Sequence, residues 1–163
     1  TDPKLKMVSL NDLINEVVGL SEQSAKYSNV KIIKHLTPDI PIIAVSPSEM
    51  QQVLLNLINN AIDAMDNKGG KIEITTRMEN DYVIVDVADT GQGIPKANLQ
   101  RIFDPFYTTK PVGKGTGLGL SICYGIIKKM GGEITVNSAV GLGTTFHVMV
   151  PAPEESANGD ETL

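Results

Sequence analysis

Leu10, Leu13, Ile14, Val17 and Val18 recur at the three-and-four spacing of one helix face, and Ser9 with Asp12 three residues on gives that helix a start signal. From Val30 to Val45 this spacing dissolves into an extended stretch broken by Pro38 and Pro41. The clearest helix start follows, with Ser46 as cap, Pro47 at the first helical position and Glu49 completing a capping box. The helix it opens carries Val53, Leu54, Leu57, Ile58, Ala61, Ile62 and Met65 on a broad apolar face and is expected to run to about Asp66. After Gly69 and Gly70 the period changes to two. Ile72 and Ile74 alternate with polar neighbours, Val83, Val85 and Val87 share one face, and the two strands predict a hairpin through Glu79 to Asp81. A long glycine-rich stretch, Thr90 to Gly117, is interrupted by a helical turn near Asn98 to Ile102. A helix from about Leu118 to Met130 stops at Gly131-Gly132, and strands Glu133 to Asn137 and Thr144 to Val150 flank the Gly141-Leu142-Gly143 turn. One-faced helices beside paired strands predict a two-layer α+β sandwich.

Composition narrows what such a sandwich can do. With 163 residues and 41% hydrophobic content the chain suits a single domain with one core. Residues 1–7 read as a linker remnant, 8–152 as the working domain, and 153–163 as a disordered acidic tail without periodic apolar positions. Charged residues make up 20%, net charge is −5, and no run of Lys or Arg stands out, which argues against nucleic acid or an anionic membrane as partner. A polyphosphate would need locally arranged donors and a metal. All apolar runs fall short of the about 18 residues of a membrane span, and no leader pattern opens the chain, so the reading is a soluble, cytoplasmic domain. The single Cys123 excludes an internal disulfide and sits among Ile122, Ile126 and Ile127, as a buried structural thiol would.

Three segments carry candidate chemistry. Asn56 and Asn60 lie one turn apart on the helix from Pro47, about 40° from each other around the axis, so both amides can address one ligand. An amide oxygen is a hard neutral ligand suited to Mg²⁺, which takes its other ligands from water and phosphate. A polar outer helix face is the bland alternative, weakened because asparagines at 56, 59 and 60 are poor helix formers. Asp89-Thr90-Gly91-Gln92-Gly93-Ile94 follows a strand end, where glycines permit close approach and the carboxylate can accept a bond from an exocyclic amine; alone it is equally an ordinary turn. Gly113 to Ser121 opens a helix whose free N–H groups favour phosphate. It is neither a Walker A loop, since Gly115 follows Lys114, nor a Rossmann fingerprint, since no strand precedes it. Between these lies Phe103-Asp104-Pro105-Phe106-Tyr107-Thr108-Thr109-Lys110, in which two phenylalanines would anchor a mobile loop and Thr108, Thr109 and Lys110 offer donors to phosphate.

In order and spacing these segments resemble the nucleotide-binding boxes of sensor histidine kinases, whose catalytic domains share an ATPase superfamily with DNA gyrase, the MutL repair proteins and a heat-shock chaperone. NLINNAIDAM looks like the N box, DTGQGI the first glycine box, FDPFYTTK the F box, GTGLGL the second glycine box, and Gly143-Thr144 with Phe146 the closing strand motif. The FYTTK string and short lid look most like the nitrogen-regulation type. The resemblance implies a Bergerat-type sandwich, a mixed sheet covered by helices on one face, with ATP and Mg²⁺ between the asparagine helix and a lid. It implies that Asn60 ligates Mg²⁺, Asn56 helps hold the phosphates, and Asp89 reads the adenine amine. Gly91, Gly93 and Ile94 would pass under the base. Gly115, Thr116, Gly117, Leu118, Gly119 and Leu120 would hinge the lid and cradle phosphate, with Thr108, Thr109 and Lys110 touching phosphate and Thr144 near the adenine. Asp63 stands where many members carry Lys or Arg, which shifts phosphate neutralisation onto Mg²⁺, Lys110 or Lys114.

Hydrolytic relatives carry a glutamate base at the position of Asn56; an amide is no base, so the γ-phosphoryl group would be kept for another acceptor. In this family that acceptor is a histidine on a separate helical dimerisation domain, followed by an acidic residue. His35 precedes Leu36, and His147 alternates with Phe146 and Val148, so neither fits. The expected function is thus the catalytic fragment of a dimeric protein histidine kinase that serves a response regulator in a two-component system. An anti-sigma-factor-type serine kinase and a nucleotide-sensing interaction module are the alternatives.

Overall fold

The computed structural model describes residues 4–107 and 119–153, and both capping signals open the helices they announce. Ser9 Oγ accepts from Asp12 N at 3.2 Å and starts α1, Leu10–Tyr27. Ser46 Oγ accepts from Glu49 N at 3.3 Å, with Pro47 first in α2, Pro47–Ala64. The sequence places the end of α2 near Asp66. The chain leaves it earlier because Asp66 and Asn67 both take positive φ, 51° and 58°, a conformation short polar side chains tolerate and a helix cannot continue through.

The strands are β1, Lys6–Val8; β2, Val30–His35; β3, Ile43–Val45; β4, Gly70–Glu79; β5, Tyr82–Asp89; β6, Glu133–Ala139; and β7, Gly143–Pro151. A third helix, α3, spans Gly119–Lys129, and the turn expected near Asn98 is a single 3₁₀ turn at Lys96–Asn98. Five strands form one sheet in the order β2-β4-β5-β7-β6. β4, β5, β7 and β6 pair antiparallel, and only edge strand β2 runs parallel to its neighbour β4, so the sheet is mixed. β1 and β3 make a separate antiparallel pair in which Met7, read as linker from sequence, opposes Ala44.

Alternation along the strands decides which face is covered. Ile72, Ile74, Val83, Val85, Val87, Ile134, Phe146, Val148 and Val150 are buried beneath the apolar faces of the three helices. α2 alone contributes Met50, Val53, Leu54, Leu57, Ile58, Ala61 and Ile62, each buried, and burying a large apolar side chain is worth about 1.5–3 kcal/mol. The opposite sheet face is largely polar, although Ile84 is buried there. There Arg77 Nε donates to Asp86 Oδ2 at 2.8 Å, His147 Nδ1 meets Asp86 Oδ1 at 2.6 Å, and Asn137 Nδ2 meets His147 Nε2 at 2.9 Å. His35 pairs with Glu73 at 2.9 Å on the same face. Both histidines are therefore paired with carboxylates, and His147 lies on the face opposite Phe146, as their alternation implies.

Candidate functional site

β5 and β7 end side by side, and their register sets Asp89 opposite Thr144 on the helix-covered face. Both are buried, at 9% and 4% exposure. Asp89 Oδ1 accepts from Gly91 N at 2.9 Å and from Thr144 N at 3.2 Å, so one carboxylate oxygen turns the chain and the other keeps its lone pairs. Burial pushes the carboxyl above its ordinary pKa, although the two backbone N–H groups pull the other way. A buried acceptor of this kind suits a donor brought by a ligand.

The segment from Gly91 to Ile94 is laced between α2 and the β6–β7 turn. Gln92 N donates to Ala64 O at 3.1 Å, Gly141 N to Gln92 O at 2.9 Å, and Ile94 N to Ser138 Oγ at 2.8 Å. The glycines are needed for space as well as angle. A Cβ on Gly91 would sit 2.6 Å from Ala64 O, and one on Gly93, at φ +79°, would sit 2.2 Å from Ala139 O. Ser138 touches both Ile94 and Thr144, a junction that reading by motif passes over. The available signal is alternation, since Ile134, Val136 and Ser138 share one face and only the serine is polar.

Asn56 and Asn60 lie half-buried one turn apart on α2, as expected. Asn56 Nδ2 is turned toward α3, 3.5 Å from Gly119 O and 3.6 Å from Cys123 Sγ. Its amide oxygen is thereby left to face other partners. Cys123 is fully buried behind it, and burial pushes its thiol up to about 11 despite the contact with Asn56. Gly119 is not required by packing, because a Cβ there would meet Asn56 Cγ at 3.9 Å, an ordinary contact. Gly119 and Leu120 begin α3 and are half-buried.

The F-box phenylalanines part ways. Phe103 is anchored, its ring 5.4 Å from that of Tyr124 and 6.3 Å from that of Phe146. Phe106 is not; it is 73% exposed and takes φ +68°, a strained conformation for a bulky side chain. The expectation that both phenylalanines anchor the loop is corrected to Phe103 alone. Thr108, Thr109, Lys110, Lys114, Gly115, Thr116, Gly117 and Leu118, with the lid behaviour expected of them, lie outside the described residues. Among the described residues no group of three or more His, Cys, Asp or Glu could hold a metal ion, and no helix is long and apolar enough to cross a membrane.

A family model described as histidine kinase-, DNA gyrase B-, and HSP90-like ATPase matches residues 45–154. Sensor kinase CckA of Brucella abortus (strain 2308) is 48% identical over 128 residues, 69% of this chain and 13% of that protein. Sporulation kinase E of Bacillus subtilis (strain 168) is 37% identical over 155 residues, 93% of this chain and 21% of that protein. The chain thus spans only a minor part of either relative. The solved catalytic domain of histidine kinase ThkA superposes with a TM-score of 0.81 at 36% identity, covering 91% of this chain and 96% of that one. ThkA has also been solved in complex with response regulator protein TrrA, where the match has a TM-score of 0.77 at 33% identity and covers 91% of this chain and 42% of that one.

Proposed function

We propose, from the premise that this chain belongs to the histidine kinase-, DNA gyrase B-, and HSP90-like ATPase family and is a histidine kinase catalytic domain, that it binds ATP with Mg²⁺ and passes the γ-phosphoryl group to a histidine on a separate dimerisation domain. The observation that carries the reading is the pairing of a buried, half-used carboxylate, Asp89, with a glycine segment whose close contacts leave no room for side chains. Asp89 Oδ2 would accept from the adenine amine. Gly91 and Gly93 seat this segment against the backbone of Ala64 and Ala139 and so fix the floor beneath the base, and Thr144, bonded through its own N–H to Asp89, lies at the same edge.

The residues present fit a magnesium ion of the kind that takes few protein ligands. Two neutral amides on one helix face suit a hard cation whose remaining ligands are water and phosphate. Asn60 would hold it; when bound, it would neutralise charge on the phosphates. Asn56, whose Nδ2 makes only long contacts with Gly119 O and Cys123 Sγ, would turn that donor toward the phosphates and help hold them. That amide cannot take a proton, so nothing at this position activates water, and the γ-phosphoryl group survives until a nucleophile arrives in line. Positioning and charge stabilisation are then the chain's whole contribution. A homodimeric parent that supplies the histidine helix, a response regulator downstream and a cytoplasmic setting complete the proposal.

Two measurements test it. Calorimetry should show magnesium-dependent uptake of ADP and ATP, nearly abolished in Asn60→Ala with the fold retained, since a partly exposed amide adds little stability. Mixing the chain with its helical dimerisation fragment and labelled ATP should yield phosphohistidine. Folded protein that takes up no nucleotide sinks the whole reading; nucleotide uptake without phosphohistidine, when the intact parent makes it, sinks the transfer step.

A further inference from the structure

We infer that Ser138 sets the choice of base, acting as a positioning residue that fixes the direction of the Thr144 hydroxyl so that the base edge of the site presents acceptors alone and prefers a 6-amino to a 6-oxo purine. The inference rests on the nucleotide reading above and deepens it.

Ser138 Oγ stands at a three-way junction. It lies 2.8 Å from Ile94 N, 3.0 Å from Gly143 O and 2.8 Å from Thr144 Oγ1. A hydroxyl has one hydrogen and two lone pairs. Ile94 N–H can only donate and Gly143 O can only accept, so the serine gives its hydrogen to Gly143 O and one lone pair to Ile94. The remaining lone pair faces Thr144, and it is filled only if Thr144 donates. Every group at the junction is then satisfied, as half-buried polar groups require.

This accounting fixes the chemistry of the site edge. With its hydrogen spent on Ser138, Thr144 Oγ1 can offer a ligand only lone pairs. Asp89, its register partner, offers only lone pairs from Oδ2, because Oδ1 is taken by Gly91 N and Thr144 N. With Asp89 Oδ2 and Thr144 Oγ1 each taking one of the two hydrogens of the exocyclic amine, such an edge welcomes adenine. It repels the carbonyl that hypoxanthine or guanine carries at the same ring position, since a polar group left facing its own kind loses its bond to water and gains nothing. Removing the serine hydroxyl frees Thr144 to rotate and donate, which supplies the partner that a carbonyl lacks.

The test is calorimetric titration of the chain with Mg-ADP and Mg-IDP, using wild type, Ser138→Ala, Thr144→Val and the double variant, with Ser138→Thr as the hydroxyl-retaining control. Wild type should favour ADP. Ser138→Ala should narrow that preference roughly three- to tenfold, the worth of one neutral hydrogen bond, while Ser138→Thr keeps it. On the Thr144→Val background the serine substitution should leave the preference unmoved, because the two act as a unit. If alanine costs the fold, Ser138→Cys, whose sulfur accepts only weakly from Thr144, should narrow the preference in the same direction by a smaller factor. ADP and IDP affinities that fall together in Ser138→Ala would show a structural role only and overturn the inference while the ATP reading stands. Narrowing that persists on the Thr144→Val background overturns the route through Thr144. Wild-type protein that takes up neither nucleotide overturns both readings.

Discussion

Asp89→Asn should separate the stability of this domain from its function, because the carboxylate spends one oxygen on the fold and keeps the other. Asparagine preserves the oxygen that accepts from Gly91 N at 2.9 Å and Thr144 N at 3.2 Å and replaces the other with an amine. Two effects then compete in the free protein. A charged acceptor bonds those N–H groups more strongly than a neutral one, but the charge is nearly buried, and burial is the larger influence, since it holds the carboxyl above its ordinary pKa. A native pKa above the unfolded one means that the contribution to stability is fully present below the unfolded pKa and lost as pH rises through the folded one. At pH 7 the wild type therefore carries the cost of a buried charge that asparagine removes. The melting temperature of Asp89→Asn at pH 7 should equal or exceed that of wild type, and the difference should shrink toward zero as acid protonates Asp89. Binding should move the other way. Losing a hydrogen bond to a charged acceptor costs about 1.5–3 kcal/mol, or about 10- to 150-fold in Kd, before the repulsion between two amines is added. Thermal melts across pH with Mg-ADP calorimetry read both quantities on one sample. A variant that melts well below wild type at pH 7 would show that the carboxylate is chiefly an anchor, and one that binds ADP normally would remove Asp89 from base recognition.

Three further outcomes follow from the same geometry. Gly93→Ala places a Cβ 2.2 Å from Ala139 O at φ +79°, and should cost at least about 2 kcal/mol in urea unfolding, combining left-handed strain with a backbone clash; near-wild-type stability would show that the segment can shift as a unit. Asp86 is buried enough that desolvation alone would raise its pKa, but bonds from Arg77 and His147 outweigh this and hold it below the ordinary value. Its contribution is therefore present above the unfolded pKa and lost as pH falls through the folded one, so Asp86→Asn should weaken the domain at neutral pH and flatten its acid denaturation curve; an unchanged curve would mean the ladder is idle. Cys123, fully buried with its thiol near 11, exposes about one thiolate in a thousand at pH 8 even before access is counted, so a disulfide reagent should label it only after unfolding. Labelling of native protein at the rate of a free thiol would show that α3 opens from α2.

What could be read along the chain was whatever short-range chemistry decides. Ser9 and Ser46 commit their helices through bonds to residues three positions on, and alternation at Ile72, Ile74, Val83, Val85 and Val87 assigns faces without knowledge of the partner strand. Asp89 was legible for the same reason, since a carboxylate at a strand end before two glycines can bond its own turn, and here it does. The rest depends on distant residues meeting. The β1–β3 pair consists of three-residue strands, too short to show a period, and the parallel placement of β2 on β4 is set by how α2 packs between them in sequence. Phe106 reads like Phe103 because hydrophobicity marks a wish for burial, whereas a left-handed φ decides that only one of the pair reaches the core. Ser138 is the sharpest case. It lies 44 residues from Ile94, and nothing local distinguishes it from any polar residue near a strand end. Only the fold brings its hydroxyl to both Gly143 O and the hydroxyl of Thr144, which is where its proposed influence on the base arises. A motif names the groups that touch a ligand, because their chemistry is tied to it. The groups that orient those side chains answer only to hydrogen-bond accounting in three dimensions, so residues such as Ser138 and Cys123 must be sought by asking where each polar hydrogen goes.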